Sequence, residues 1–210
     1  NKRSRRKSVT ECEMIQDRQR LRIALPGKGR LKDPTIELLK KASFDFRTKD
    51  RNLYATCTNA DIVFIFVRTD DIPVLVDSGV IDAGITGSDL ILERSASVET
   101  VLNLGYGRCR LCVAVKDSYQ GESLEDLRGK NIATSFPQIT SGFFSSQGIS
   151  VNCIEMNGSV EIMVALGLAD AIVDIVETGD SLRDNNLKVL KDIGRYETVL
   201  VCNEKVLSDP

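Results

Sequence analysis

The residues best suited to chemistry lie in GLADAIVDIVETGDSL, Gly167–Leu182. The stretch starts as a strand of branched aliphatics and ends in Thr178-Gly179-Asp180-Ser181. A glycine after a strand permits a tight turn and close backbone approach. Successive backbone N–H groups in such a turn, with the Thr178 and Ser181 hydroxyls, form a cradle for phosphate oxygens. Upstream, Asn157 or Ser159 can cap a helix carrying Glu161, and the free N–H groups of a helix start also attract anions. Yet the same stretch holds Asp170, Asp174, Glu177 and Asp180. A carboxylate beside a phosphate repels it unless a hydroxyl or a cation lies between them. Asp174 sits among branched aliphatics, an expensive place for a charge without a partner. A sugar diol or a magnesium shell is such a partner. From the residues alone, a strand end followed by a capped helix start fits equally well.

A second candidate is PGKGR, residues 26–30. A glycine-containing turn between strand and helix, carrying Lys28 and Arg30, suits a polyphosphate. Read in isolation, an ordinary strand-to-helix loop with solvated basic residues explains it too. FVRTDDIP adds Arg68, Asp70 and Asp71, where helix capping is the alternative reading, and GITGSD adds Thr86, Gly87 and Asp89. CRLC (109–112) has the look of a metal or redox motif. On a strand, however, positions i and i+3 point to opposite faces, so the two thiols are read as structural.

These groups need elements to hold them. Strands are expected at 21–25, 52–57, 61–67, at DAGITG, on both sides of LGYGR, at KNIATS, VNCIEM and ADAIVDIV, and at LKVLKDI and YETVLVCN. Helices are expected from Asp33 as N-cap, over TDDIPVLVDSG, SLEDLRG and PQITSGFFSSQG, and over SVEIMVALG with Val160, Met163, Val164 and Leu166 on one face. Strands alternating with helices predict an α/β protein with mostly parallel sheets. The halves also resemble each other. Gly79-x-x-Asp82-Ala83 recurs as Gly167-x-x-Asp170-Ala171, each downstream of an Ile-Ala strand, at Ile23-Ala24 and Ile132-Ala133. The repeat favours two similar lobes over one doubly wound sheet, with the active site in the cleft between them. The expected division is a flexible tail over 1–20, lobe I over 21–106 plus 195–210, and lobe II over 107–194.

Composition narrows the chemistry. The 210 residues are 42% hydrophobic, with a net charge of −2, so nothing in the balance points to nucleic acid or a membrane surface. No apolar run approaches the ~18 residues of a spanning helix. Six thinly spread cysteines suggest reduced thiols and a cytoplasmic protein. There is no histidine, which excludes Ser-His-Asp and Cys-His mechanisms and any His-ligated metal.

NGSVE followed by LGLADAIVDIVETGDSL closely resembles the signature of the ATP phosphoribosyltransferase family, the first enzyme of histidine biosynthesis. The resemblance runs from Leu21 to about Asn203 and includes IALPGKGRL, DDIP, DAGITGSD, LGYGRCRL and IATSFP. It implies transfer of phosphoribosyl from phosphoribosyl pyrophosphate (PRPP) to N1 of ATP, with Mg²⁺ bound mainly through substrate phosphates. It also implies the two-lobed fold of type II periplasmic binding proteins. Under it, Thr178, Gly179, Asp180 and Ser181 hold the 5′-phosphate, Asp174 faces the ribose hydroxyls, and Glu161 reaches the ribose or the metal. The family more often has Thr where this chain has Ser181. Arg30 and Arg51 neutralise the departing pyrophosphate. Lys28, Asp70, Thr86, Asp89, Arg110 and Ser135 belong to the ATP pocket. A homodimer or higher homo-oligomer is implied, with a separate regulatory subunit in the short form of the family. The chain stops at Pro210, soon after its last strand, and is read either as a short form with a clipped end or as a catalytic core cut from the family's long form, with no C-terminal regulatory domain expected within it. Two other classes compete. The single-sheet phosphoribosyltransferases usually carry two adjacent acids before the turn, whereas Ile175 follows Asp174 here. A non-catalytic two-lobed binding module needs neither Arg30, Arg51 nor the Thr-Gly-Asp-Ser turn.

Overall fold

The computed structural model of the chain describes residues 20–48 and 53–204. Arg51, residues 1–19 of the tail expected over 1–20, and residues 205–210 lie outside the described residues. In chain order the elements are β1 (Leu21–Pro26), α1 (Lys32–Lys41), β2 (Tyr54–Thr56), β3 (Ile62–Val67), a 3₁₀ turn at Thr69–Asp71 running into α2 (Ile72–Asp77), β4 (Ala83–Gly87), α3 (Ser88–Glu93) and β5 (Glu99–Asn103). There follow β6 (Cys109–Lys116), a 3₁₀ turn at Leu124–Leu127, β7 (Asn131–Thr134), α4 (Pro137–Ser146), β8 (Asn152–Glu155), α5 (Glu161–Ala165), β9 (Ala171–Val176), α6 (Asp180–Asp184), β10 (Leu187–Tyr196) and β11 (Thr198–Cys202).

Two compact units result: the described parts of Asn1–Thr86, Ser97–Asn103 and Val199–Pro210, and then Gly87–Ala96 with Leu104–Thr198. Residues 87–96, 104–106 and 195–198, expected in lobe I, fall in the second unit. The first unit is built on a six-stranded sheet of order β2-β3-β1-β4-β11-β5. Its centre, β3-β1-β4, is parallel, and β2 and β5 pair antiparallel at the edges. The second is built on a five-stranded sheet of order β10-β6-β9-β7-β8, in which β9-β7-β8 are parallel and β6 and β10 antiparallel.

The repeat has a structural cause. Asp82 accepts a hydrogen bond from the Arg22 amide at 2.7 Å, and its own amide donates to the Arg22 carbonyl at 3.1 Å. Asp170 does the same with Asn131, at 3.0 and 2.8 Å. In both units an aspartate just before one parallel strand satisfies an amide near the start of its neighbour, Arg22 in β1 and Asn131 in β7. The ladders then match: Ile23 pairs with Ala83 and Ala24 with Gly84, as Ile132 pairs with Ala171 and Ala133 with Ile172.

Alternation along β6 sorts two cores in the second unit. Leu111, Val113 and Val115 pack with Phe144 and Val173 on one face. Cys112 and Ala114 pack with Val160, Val164, Ile172, Val176 and Leu182 on the other. Each fully buried large side chain contributes about 1.5–3 kcal/mol. In the first unit Phe46 lies against Phe64, ring centroids 4.6 Å apart. Leu166 departs from the sequence reading. It is 65% exposed rather than core-facing: its amide still bonds helically to the Ile162 carbonyl at 2.9 Å, but it stands about 200° round the helix from buried Val164, on the far face. Asp33 also falls inside the first turn of α1, not at its cap, where its charge still suits the helix dipole.

Candidate functional site

In the second unit the polar candidates converge on the carboxyl ends of β7 and β9. Ladders in α/β sheets end there in exposed amides and loops, the usual place for a ligand. After β9 the chain turns at Gly179, whose φ of 85° is left-handed and open to glycine at little cost. That turn starts α6 and places two hydroxyls. Thr178 Oγ1 donates to Asp180 Oδ2 at 2.6 Å, and Ser181 Oγ donates to Glu161 Oε1 at 3.0 Å. The second bond ties the β9–α6 turn to the first residue of α5. Asp180 is ion-paired with Arg183 one turn on. The Thr178 hydroxyl and the Arg183 charge hold its carboxyl below the usual range. The turn's own negative charge is thus matched by a cation, which removes part of the conflict between acid and phosphate.

Asp174 is different. It sits in β9 opposite Cys112, partly buried, and its Oδ1 accepts from the Ile175 amide at 2.8 Å. Burial pushes its pKa up to about 6, the Glu161 charge adds to this, and the Ile175 amide opposes it. A carboxylate whose charge is disfavoured by burial and by Glu161 invites a partner for its lone pairs. A sugar hydroxyl or a hard cation is such a partner.

The first-unit candidates gather at the equivalent sheet edge. Pro26, the end of β1, pairs with Val67, the end of β3, so the 27–31 and 68–71 turns emerge side by side. Gly27 donates to the Val67 carbonyl at 2.7 Å, and a Cβ there would lie 3.1 Å from that oxygen. A larger residue there would push the end of β3 away by a few tenths of an ångström, and the turn sends exposed Lys28 and Arg30 out from the sheet edge. Asp70 lies 3.7 Å from Arg68 across an ion pair, and fully buried Thr86 donates to the Thr69 carbonyl at 3.2 Å. Thr86 therefore braces the Asp70 turn. Asp89, in the second unit, is 2% exposed in the first turn of α3. The Arg110 guanidinium is engaged by Asp192 at 3.0 Å, and the Ser135 hydroxyl spans a backbone turn.

A family model described as ATP phosphoribosyltransferase matches residues 68–209. The chain belongs to the ATP phosphoribosyltransferase family. The protein of that name from Rhodopirellula baltica is 48% identical over 87% of this chain and 61% of its own length. That from Methanosarcina mazei is 44% identical over 89% and 65%. The chain thus spans under two thirds of the length of these curated relatives. Among solved structures, an ATP phosphoribosyl transferase HisG:HisZ complex from Thermotoga maritima superposes with a TM-score of 0.76 at 34% identity, covering 90% of this chain and 94% of that one. Tv2483 bound to L-arginine superposes with a TM-score of 0.62 at 16% identity over 92% and 82%, which speaks for the fold alone. The fold is the two-lobed α/β fold of the periplasmic binding proteins.

Within this family member, some polar residues escaped the sequence reading. Glu93 is 7% exposed, and its two oxygens accept from the Gln138 and Ile139 amides, each at 3.0 Å. It fills the N-terminus of α4 from α3, which anchors residues 87–96 in the second unit. Nothing in the local sequence marks it, because its partners lie 45 and 46 residues away. Asp192 is the other. Besides Arg110 it accepts from the Cys112 thiol at 3.2 Å. Burial, with that hydrogen bond second, pushes the Cys112 pKa up to about 12, so the thiol stays protonated and unreactive. Cys112 and the cluster on the opposite face agree with a structural reading of CRLC.

Proposed function

We propose that this chain transfers phosphoribosyl from PRPP to N1 of ATP, giving phosphoribosyl-ATP and pyrophosphate, the first step of histidine biosynthesis. The observation that carries the reading is the Thr178–Ser181 turn joined through Ser181 to Glu161 beside Asp174, in a member of this family. The turn binds the 5′-phosphate through its amides and hydroxyls. Asp174 and Glu161 take the ribose hydroxyls, which gives the half-buried Asp174 carboxyl a partner. Arg30 and Arg51 meet the charge that builds on the departing pyrophosphate, where fixed cations contribute most. Lys28, Asp70, Thr86 and Asp89 serve the ATP side, Thr86 by bracing the Asp70 turn. Arg110 acts there only through its Asp192 pair.

Mg²⁺ fits this donor set, since Asp174 and Glu161 offer hard carboxylate oxygens and the substrate phosphates the rest. When bound it neutralises charge on the pyrophosphate. The protein's own task is then alignment. Adenine N1 needs no strong base, so a chain without histidine can work by positioning and electrostatics. A cytoplasmic location suits the substrates, and no helix among the described residues is long and apolar enough to cross a membrane. A homodimer or higher homo-oligomer, and a separate regulatory subunit, are proposed partners. The Thermotoga maritima structure is a complex with a second protein, HisZ. Pyrophosphate release and mass detection of phosphoribosyl-ATP, with PRPP, ATP and Mg²⁺ and with candidate regulatory subunits, test the activity. PRPP binding without release under all these conditions would leave a binding module instead.

A further inference from the structure

We infer that Ser135 is a positioning residue for the PRPP side of the site, not an ATP contact, an inference that rests on the function proposed above. Ser135 follows β7 directly. Its hydroxyl proton goes to the Met156 carbonyl at 2.8 Å, and its oxygen accepts from the Gly158 amide at 3.2 Å. One side chain thus staples both ends of the three-residue turn 156–158. A serine hydroxyl has a single proton, so it has no further donor to offer a phosphate or a base.

The turn needs such a staple. Gly158 and Ser159 take consecutive left-handed conformations, φ 99° and 51°. For serine that region is disfavoured, and it persists only where surrounding contacts over-determine it. One of these contacts is the Met156 amide, which donates to the Thr134 carbonyl at 2.9 Å and continues the β7–β8 ladder. Another is Val160, 1% exposed, which plugs into the core beneath β9. The Ser135 staple closes the turn between them. The next residue is Glu161, which takes the Ser181 proton at 3.0 Å. A continuous path therefore runs from β7 through the Ser135 hydroxyl, the 156–158 turn and Glu161 to the hydroxyl of the phosphate turn. Removing the staple lets Glu161 drift from Ser181 while leaving the strands in place.

The test is Ser135→Ala beside Ser135→Thr, in the full chain with whatever partner subunit the wild type needs. Losing the staple should raise KM for PRPP about 5- to 10-fold, with KM for ATP unchanged. Ser135→Thr, which keeps a hydroxyl, should recover most of it. Amide exchange at Gly158 should quicken in Ser135→Ala and return in Ser135→Thr, a readout independent of turnover. A melting temperature close to wild type separates positioning from unfolding, and PRPP affinity by calorimetry gives the same answer without turnover. A rise in KM for ATP with PRPP unaffected overturns the inference, as does unchanged PRPP affinity in Ser135→Ala. If the wild type itself binds no PRPP, the proposed function fails first and takes this inference with it.

Discussion

Asp174→Asn should stabilise the fold while disabling the site. Asp174 lies in β9 with its pKa raised from 3.8 to about 6, chiefly by burial. The raised value means the folded state holds a proton that the unfolded state has already lost. Below pH 4 both states are protonated and the group contributes nothing pH-dependent. Between about pH 4 and 6 the unfolded chain ionises first, and stability falls. Above pH 6 both states are charged and the loss is complete. Two units correspond to about 3 kcal/mol at ~1.36 kcal/mol per unit. Asparagine keeps an Oδ1 acceptor for the Ile175 amide, bonded at 2.8 Å in the wild type, and carries no charge. The substitution should therefore recover up to about 3 kcal/mol at pH 8, or roughly 6–12 °C in Tm for a chain of this size. At pH 4 the gain should nearly vanish. Calorimetric melts at the two pH values read this directly, and turnover with PRPP should fall at least about tenfold in parallel. Asp174→Asn melting at or below the wild type at pH 8, or gaining equally at both pH values, refutes the assignment of a penalised carboxylate. Unchanged turnover refutes its role with the ribose.

Three further substitutions test the frame. Glu93→Ala uncovers the Gln138 and Ile139 amides and should cost about 1–2 kcal/mol in urea unfolding, a typical loss for a helix cap. Asp82→Ala and Asp170→Ala should both destabilise, Asp82→Ala the more. Asp82 also meets the Arg22 guanidinium at 2.9 Å, whereas Lys130 stands 3.9 Å from Asp170. Equal melting of these two variants counts against that ranking.

The strands were legible because their patterns are local: branched aliphatics between glycines, with Asp-Ala marking the same strand start twice. So was the Thr178–Ser181 turn, whose glycine and hydroxyls declare themselves. Three kinds of feature were not. Short helices such as α3 and α6, six and five residues long, have too few turns for a period. Leu166 was grouped with the core face, although helical spacing turns it about 200° from Val164. Long-range partners were silent too. Arg110 and Ser135 were singled out by resemblance, but their partners Asp192, Met156 and Gly158 were not. Sequence spacing cannot say which of many distant groups a guanidinium or hydroxyl will find.

The repeat also explains where the chemistry sits. Counting from Asp82 and Asp170, whose equivalence rests on identical reciprocal hydrogen bonds, the fourth residue onward is Thr86 in one unit and Asp174 in the other. Both occupy one position on one scaffold. In the first unit a neutral hydroxyl there is fully buried and satisfied by the Thr69 carbonyl, so the position only supports a turn. In the second a carboxylate stands half-buried, its charge disfavoured by burial and by Glu161. The scaffold does not require that acid, since its counterpart manages with threonine. A destabilising group that the fold can do without calls for another reason, and the function proposed above supplies a ligand. By the same comparison Asp170, whose counterpart is kept, belongs to the frame and not to the site.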